Sequence, residues 1–278
     1  MGNADANILD GGAGADRMLG GDGNDSLGGS GGIDFLEGMA GNDTLADSTS
    51  SGCFNGGTGD DKLSGGAAAD FFMGGKGDDA VTTGGGNDVI VFNRGDGYDK
   101  VTVGANGSVT LSLGGGIAYA DLKFKKSGND LVLQTGKDGE GIEFADWYAR
   151  SARHNVLNLQ VVAEAMAGFD AASANPLLSK KVQDFDFAGL AGAFDAARAA
   201  KPSLSSWTLT SALTQFHLAA SDSSALGGDL AYQYGKNGSL SGIGLASAQD
   251  IIGDAQFGAQ AQALKPLSGL QEGAVRLG

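Results

Sequence analysis

The sequence predicts a mainly β chain with a helical C-terminal part. Its elements are a right-handed parallel β-roll of nonapeptide repeats, a β-rich cap, and a small α or α+β region. Three observations carry this reading. Residues 2–91 repeat every nine residues with no insertion or deletion. Residues 101–148 alternate apolar and polar side chains between Gly and Asn turns, the pattern of strands and hairpins. From about residue 154 the chain turns alanine-rich, with apolar residues at helical spacing.

The repeat is read first, because self-similarity of this kind fixes the architecture. The nonamers run from GNADANILD at residue 2 to TGGGNDVIV at residue 83. Their eighth position is Leu9, Met18, Leu27, Leu36, Leu45, Phe54, Leu63, Phe72, Val81 and Ile90. Each of these side chains centres a short strand and stacks inward on its equivalents above and below. Alternate turns fall on opposite sides, so two nonamers make one coil. Glycine at positions 1, 2 and 4 permits positive φ and lets carbonyls turn inward without a Cβ in the way. The sixth position adds a hard anionic oxygen. Asn7, Asp25, Asp43, Asp61 and Asp79 line one edge, and Asp16, Asp34, Gly52, Asp70 and Asp88 the other. Carbonyls and carboxylates, without sulfur or imidazole, are the donor set that Ca²⁺ selects over zinc or copper.

This G-G-x-G-x-D-x-U-x pattern, with U a large apolar residue, resembles the hemolysin-type calcium-binding repeats of RTX (repeats-in-toxin) proteins. That resemblance implies several Ca²⁺ ions held between successive turns of one edge, by carbonyls of positions 1 and 3 above, positions 2 and 4 below, and aspartates from both. Carried over, Gly38, Ala40 and Asp43 face Gly57, Gly59 and Asp61, while Gly65, Ala67 and Asp70 face Gly84, Gly86 and Asp88. Asp16, Asp25, Asp34 and Asp79, with Gly20, Gly56, Gly75 and Gly77, are the equivalent ligand candidates of the other turns. The sixth nonamer departs from the pattern: Gly52 supplies no carboxylate and 47–51 lacks glycine, so Asp47 is expected to contribute little. About five well-formed sites and two or three partial ones are expected from a repeat whose ions are shared between turns.

Without metal, stacked carboxylates repel, and one apolar side chain per nonamer does not offset the chain entropy. The expectation is a disordered acidic segment at low Ca²⁺ that folds when ligation replaces repulsion, so binding free energy is folding free energy.

The 278 residues carry a net charge of −15, 50 glycines and three prolines. Such acidity argues against nucleic acid as a partner, and against anionic membranes unless bound Ca²⁺ neutralises it. Cys53 is the only cysteine, so an intramolecular disulfide is excluded; it reads as an apolar filler of a degenerate turn. Met1 leads directly into the first repeat with no secretory leader, which is read as the C-terminal piece of a longer protein with passenger domains upstream.

Along the chain, Phe92 to Val103 closes the roll, with Gly95, Asp96, Gly97 and Asp99 as candidates for a last site. The 101–153 segment, with D-L-x-F-x-x-x-G-N-D-L-V-L and a later I-E-F-A-D-W-Y, resembles the β-rich extension that follows RTX repeats. Trp147 and Tyr148 are read as capping the open end of the roll, where strand edges would otherwise aggregate. In 154–278, NVLNLQVVAEAMAGF, DFAGLAGAFDAARAA and SLSSWTLTSALTQFHLAA are expected as helices. This region stands where the family carries an uncleaved type I secretion signal; an ordinary small helical domain is the alternative.

Catalytic motifs are missing. His154 and His217 lie far apart with no HExxH or Cys/His spacing, and there is no G-x-S-x-G elbow and no P-loop lysine. The expected function is a non-catalytic folding and secretion module whose partners are the type I machinery and the upstream passenger. Its expected location is outside, or on the surface of, a Gram-negative bacterium. The alternative is an adhesin or surface-layer module whose C-terminal region contacts a lipid, glycan or neighbouring subunit.

Overall fold

The structure, a computed structural model, describes residues 1–136, 139–149, 154–241, 243–254 and 257–258. Odd and even nonamers separate into two sheets, as a nine-residue half-coil requires. The first sheet stacks β1 (Ile8–Ala13), β3 (Ser26–Gly31), β5 (Thr44–Ala46), β7 (Lys62–Ser64), β9 (Ala80–Thr82) and β11 (Tyr98–Thr102). The second stacks β2 (Arg17–Asp22), β4 (Asp34–Ala40), β6 (Gly52–Thr58), β8 (Phe71–Lys76), β10 (Gly86–Phe92) and β12 (Gly107–Leu113). Every pair in these stacks is parallel.

The register is one coil of 18 residues. Leu9 pairs with Leu27, Leu27 with Leu45, Leu45 with Leu63, and Leu63 with Val81. On the facing sheet Met18 pairs with Leu36, Leu36 with Phe54, Phe54 with Phe72, and Phe72 with Ile90. The two columns fill the interior: from Leu27 to Ile90 the eighth-position side chains are buried, and the Phe54 and Phe72 rings stack at 5.0 Å. Burying one such side chain is worth about 1.5–3 kcal/mol. A nine-residue turn provides only one of them, so the column is thin.

The parallel stack continues past the repeats. β11 sits on β9 with Lys100 opposite Ala80, and β12 on β10 with Gly107 opposite Gly86. Two residues gained over the 18-residue coil are taken up in the turn at Asn93–Gly97, where Asn93 N–H donates to Asp96 Oδ2 at 2.6 Å, and a third between β11 and β12. β15 (Gly141–Phe144) then pairs with β11, and β16 (Val156–Val162) with β12, both parallel. Only beyond them do antiparallel strands end the sheets. β14 (Asp130–Gln134), β13 (Lys123–Ser127) and β18 (Ser206–Thr208) close the first, and β17 (Val182–Asp186) and β19 (His217–Ser221) the second.

This corrects two helix expectations. NVLNLQVV is the strand β16: Leu159 and Val161 enter the roll's core while Asn158 and Gln160 alternate outward. The residues fit a helical stripe in isolation, but the open edge of β12 offers a ladder of backbone partners, and Gln160 reaches Ser112 Oγ at 2.7 Å. Sheet context overrides local spacing here. SLSSWTLTSAL divides into β18 and the single turn α3 (Thr210–Leu213), with Trp207 opposite Phe124 on β13.

The helix expected in DFAGLAGAFDAARAA is present as α2 (Phe187–Ala200), following the four-residue α1 (Pro176–Ser179). Asp186 caps it, accepting from Gly189 N–H at 2.8 Å. Its buried stripe, Phe187, Leu190 and Phe194, meets Phe124, Phe144 and Trp147 edge-on or tilted. Trp147 is buried in this end cluster and stacks on His154 at 4.5 Å; the Tyr148 ring lies under Lys126 Nζ at 3.9 Å.

A second apolar cluster lies outside the roll. The seventh and ninth positions of the even nonamers are apolar at Phe35, Cys53, Phe71, Met73, Val89 and Val91. The odd nonamers carry Ser26, Thr44, Lys62 and Ala80 at the seventh position. Only the second sheet therefore presents an apolar outer face. α4 (Gly228–Asn237) and α5 (Leu245–Ile252) cover it with Leu230, Ala231, Tyr234, Ala248 and Ile252. Polar contacts fix the docking: Asn93 Nδ2 donates to the Tyr234 carbonyl at 2.9 Å, Gly115 N–H to the Gly235 carbonyl at 2.7 Å, and Gln249 Nε2 to the Ile33 carbonyl at 2.8 Å. Cys53 is buried under this layer, and burial drives its thiol pKa far up, which suits a packing role.

Candidate metal centres along the roll

The aspartates of each edge form a ladder. Asn7, Asp25, Asp43 and Asp61 each donate their backbone N–H to Oδ1 of the sixth-position aspartate one coil on, at 2.7–2.8 Å. On the opposite edge Asp16 donates to Asp34, Gly52 to Asp70 and Asp70 to Asp88, at 2.7–3.0 Å. One carboxylate oxygen thus fixes the turn. The other is left over: Oδ2 of Asp16, Asp25, Asp34, Asp43, Asp61, Asp79 and Asp88 is buried without a hydrogen-bond partner. A buried carboxylate oxygen without a donor is costly unless a cation meets it.

Backbone oxygen converges on the same points. A Cβ on Gly20 would lie 2.7 Å from the Gly38 carbonyl oxygen, and one on Gly38 2.6 Å from that of Gly56; each would also collide with Oδ2 of its own turn's aspartate. At Gly20 and Gly38 the first position therefore has no room for a Cβ. Positive φ belongs to positions 2 and 4, as at Gly57 (+110°) and Gly59 (+123°), where a side chain would also strike the carbonyls of Met39 and Gly41. Gly75 and Gly77 stack in the same way on Gly57 and Gly59, and Gly84 and Gly86 on Gly66 and Ala68. Gly65 brings its α-carbon to Asp70 Oδ2 and the Thr83 carbonyl. Among the described residues no three His, Cys, Asp or Glu side chains converge as a metal cluster. The donor set is instead one or two carboxylates and several carbonyls per turn, which suits a hard cation with flexible coordination.

Electrostatics agree. Burial, reinforced by neighbouring carboxylates, pushes Asp61 up to about 7, Asp79 to about 6, Asp88 to about 9, and raises Asp34 and Asp43. Burial likewise takes Asp70 to about 7 against the backbone N–H groups of Gly52 and Gly66 that favour its anion. A cation between the turns reverses this cost, because it favours the ionised form.

Two further places bear on the set, the last site expected at 95–99 and the degenerate turn. Asp99 continues the first ladder, receiving Asp79 N–H on Oδ1 at 3.2 Å over a 20-residue interval, and Gly97 stacks on Gly77. Burial pushes Asp99 up to about 9. Asp96, set at about 7 by burial, lies apart from that ladder, between Asn93 and the Tyr234 hydroxyl. At the second place is Asp47, expected to contribute little: its carboxylate is buried and faces Asp34 across the coil. The sequence signal for it is an acidic residue at a first position that every other nonamer but the tenth, which has Thr83, fills with glycine.

A parallel β-roll whose inter-turn edges carry buried, donor-free carboxylate oxygens defines a metal-binding repeat module. The particular repeat follows from comparison with known families: four copies of the RTX calcium-binding nonapeptide repeat match residues 1–27, 28–46, 55–90 and 68–99. Residues 1–46 and 55–99 are thus RTX repeats, and the repeat segment is a calcium-binding module taking several ions. The stretch 47–54, the degenerate turn, falls outside the matches. Comparison with curated proteins finds no match.

Proposed function

We propose that the chain is the calcium-dependent folding and export module of an extracellular RTX protein. Its parts would be the roll at 1–100, the β-rich cap at 101–153, and a C-terminal region at 154–278 that carries the type I secretion signal. The observation that carries this reading is the row of buried Oδ2 atoms without donors. At low free Ca²⁺ those oxygens repel, and the thin column of one apolar side chain per turn does not offset chain entropy, so the repeats stay open and can thread a channel. Outside the cell, Ca²⁺ enters between turns, with sixth-position aspartates and carbonyls of the turn glycines as ligands, and the coil stacks.

The β15–β16 layer and the antiparallel strands beyond it support a templating role, since they present a finished parallel edge on which the last repeat coil can build. Docking of α4 and α5 on the apolar face of the second sheet supports a coupled step, because that face exists only when the even nonamers are stacked. Among the described residues no helix is long and apolar enough to cross a membrane. Among the described residues the large apolar side chains that stand exposed are Met1, just before the repeats, and Ile8 and Met39 within them.

Limited proteolysis of the full chain tests the proposal. Cleavage throughout 1–100 in chelator, protection in millimolar Ca²⁺, and no protection by Mg²⁺ are expected. Equal protection in all three conditions overturns the switch.

A further inference from the structure

All but the last residue of the sixth nonamer lies outside the family matches, and its sixth position, Gly52, has no carboxylate. Phe54 accounts for that loss: a Cβ on Gly52 would lie 2.7 Å from its ring, which stacks on Phe72. The edge would be broken between Asp34 and Asp70. Asp47 enters this gap from the first position of the same nonamer. A Cβ on Gly29 would sit 2.7 Å from Asp34 Oδ2 and 2.8 Å from Asp47 Oδ2, so the two oxygens converge over one α-carbon. In the ordinary turns the second of these places belongs to a first-position carbonyl, Gly38 over Gly20 and Gly56 over Gly38.

The Asp47 side chain is also held in place. Its Oδ1 accepts from Thr49 N–H at 2.9 Å and Ser50 N–H at 3.2 Å, an Asx-type turn that replaces the missing glycines. Among the described residues its Oδ2 accepts from Ser50 Oγ at 3.1 Å and otherwise lies against the Asp34 carboxylate, so the two acidic groups share the gap. The partner oxygen, Asp34 Oδ2, belongs to a side chain almost wholly buried and has no donor.

We propose that Asp47 is a calcium ligand that substitutes for the absent sixth-position carboxylate, holding an ion with Asp34 between the fourth and sixth nonamers. The edge then keeps its ladder of ions through the degenerate turn. This rests on the calcium reading of the repeats. The chemistry selects a hard divalent cation, since the converging atoms are two carboxylate oxygens with the Ser50 hydroxyl beside them.

The test counts ions. The full chain, Asp47→Asn, and Asp79→Asn as a control on the opposite edge are dialysed against saturating Ca²⁺, and bound metal is measured by mass spectrometry. Asp47→Asn keeps the Oδ1 acceptor of the turn and removes only the anionic oxygen, so a merely structural Asp47 predicts no loss. The expected result is one ion fewer than wild type. An unchanged ion count in Asp47→Asn, with a deficit in Asp79→Asn, overturns the proposal and leaves the calcium reading intact. Should Asp47→Asn not fold, anomalous scattering from Ca²⁺-loaded wild-type crystals decides. A peak between Asp34 and Asp47 is expected, and its absence beside peaks elsewhere on the ladder refutes the assignment. Ions nowhere along the roll would instead refute the calcium reading itself.

Discussion

Asp61 is shared by two turns, which makes Asp61→Asn an informative perturbation. Its Oδ1 accepts from Asp43 N–H at 2.7 Å, its own N–H donates to Asp79 Oδ1 at 2.8 Å, and its Oδ2 has no donor. Asparagine keeps the first two contacts and replaces the third atom by an NH₂ group, which carries no charge and donates where a cation should be met. An interaction with a charged group is worth about 1.5–3 kcal/mol, so each of the two adjoining sites should weaken by roughly tenfold to a hundredfold. Because each coil supports its neighbours as in other solenoids, the calcium midpoint should rise and the titration should lose steepness. The same change removes one buried negative charge, so the metal-free chain should be slightly less unfolded. Calcium titration followed by far-UV circular dichroism reads both ends of the curve. An unchanged midpoint and slope would refute the ladder as the metal site.

Further outcomes follow from the same geometry. In metal-free protein the aspartates are raised above their unfolded value, to about 6–7 at Asp79, Asp61 and Asp70 and about 9 at Asp88 and Asp99. Protonation therefore favours the coil: metal-free β signal should be greatest below about pH 4, the unfolded aspartate value, and fall as pH rises from there through about 9, whereas the calcium midpoint should improve with rising pH. A metal-free signal that is flat or rises over that range contradicts the burial argument. Phe71→Ala removes a buried ring from the face under α4 and α5, at a cost of about 3–5 kcal/mol. Calcium-induced β signal should survive while 228–252 becomes protease-sensitive, and unchanged protection would show that docking does not depend on this face. Gly59→Ala, at φ +123° and against the Gly41 carbonyl, should destabilise the loaded roll by about 1–3 kcal/mol or more. Gly192→Ala, in open space on α2, should instead raise the melting temperature through a gain of about 0.5–1 kcal/mol.

The roll was legible because its period is exact over ten nonamers, so the inward column Leu27, Leu45, Leu63 and the edges Asp43–Asp61 and Asp70–Asp88 follow from arithmetic alone. The outer layer was harder. The apolar seventh positions Phe35, Cys53, Phe71 and Val89 recur every 18 residues, and a nine-residue frame averages them with Ser26, Thr44 and Lys62. β16 departs from the helical expectation because one strand's worth of Val and Leu fits both periods, and the deciding partner, the edge of β12, lies more than 40 residues away. The role of Asp47 was hidden for a different reason. A repeat pattern ranks residues by position, whereas Asp47 reaches its place through an Asx turn that the pattern does not contain.

The central claim is that calcium is what lets this roll fold. The most direct measurement is far-UV circular dichroism of the full chain against free Ca²⁺, with Mg²⁺ as control. The account predicts a cooperative gain of β signal with Ca²⁺ alone, from a metal-free chain at neutral pH that lacks it. A chain already folded in chelator and indifferent to Ca²⁺ would contradict it.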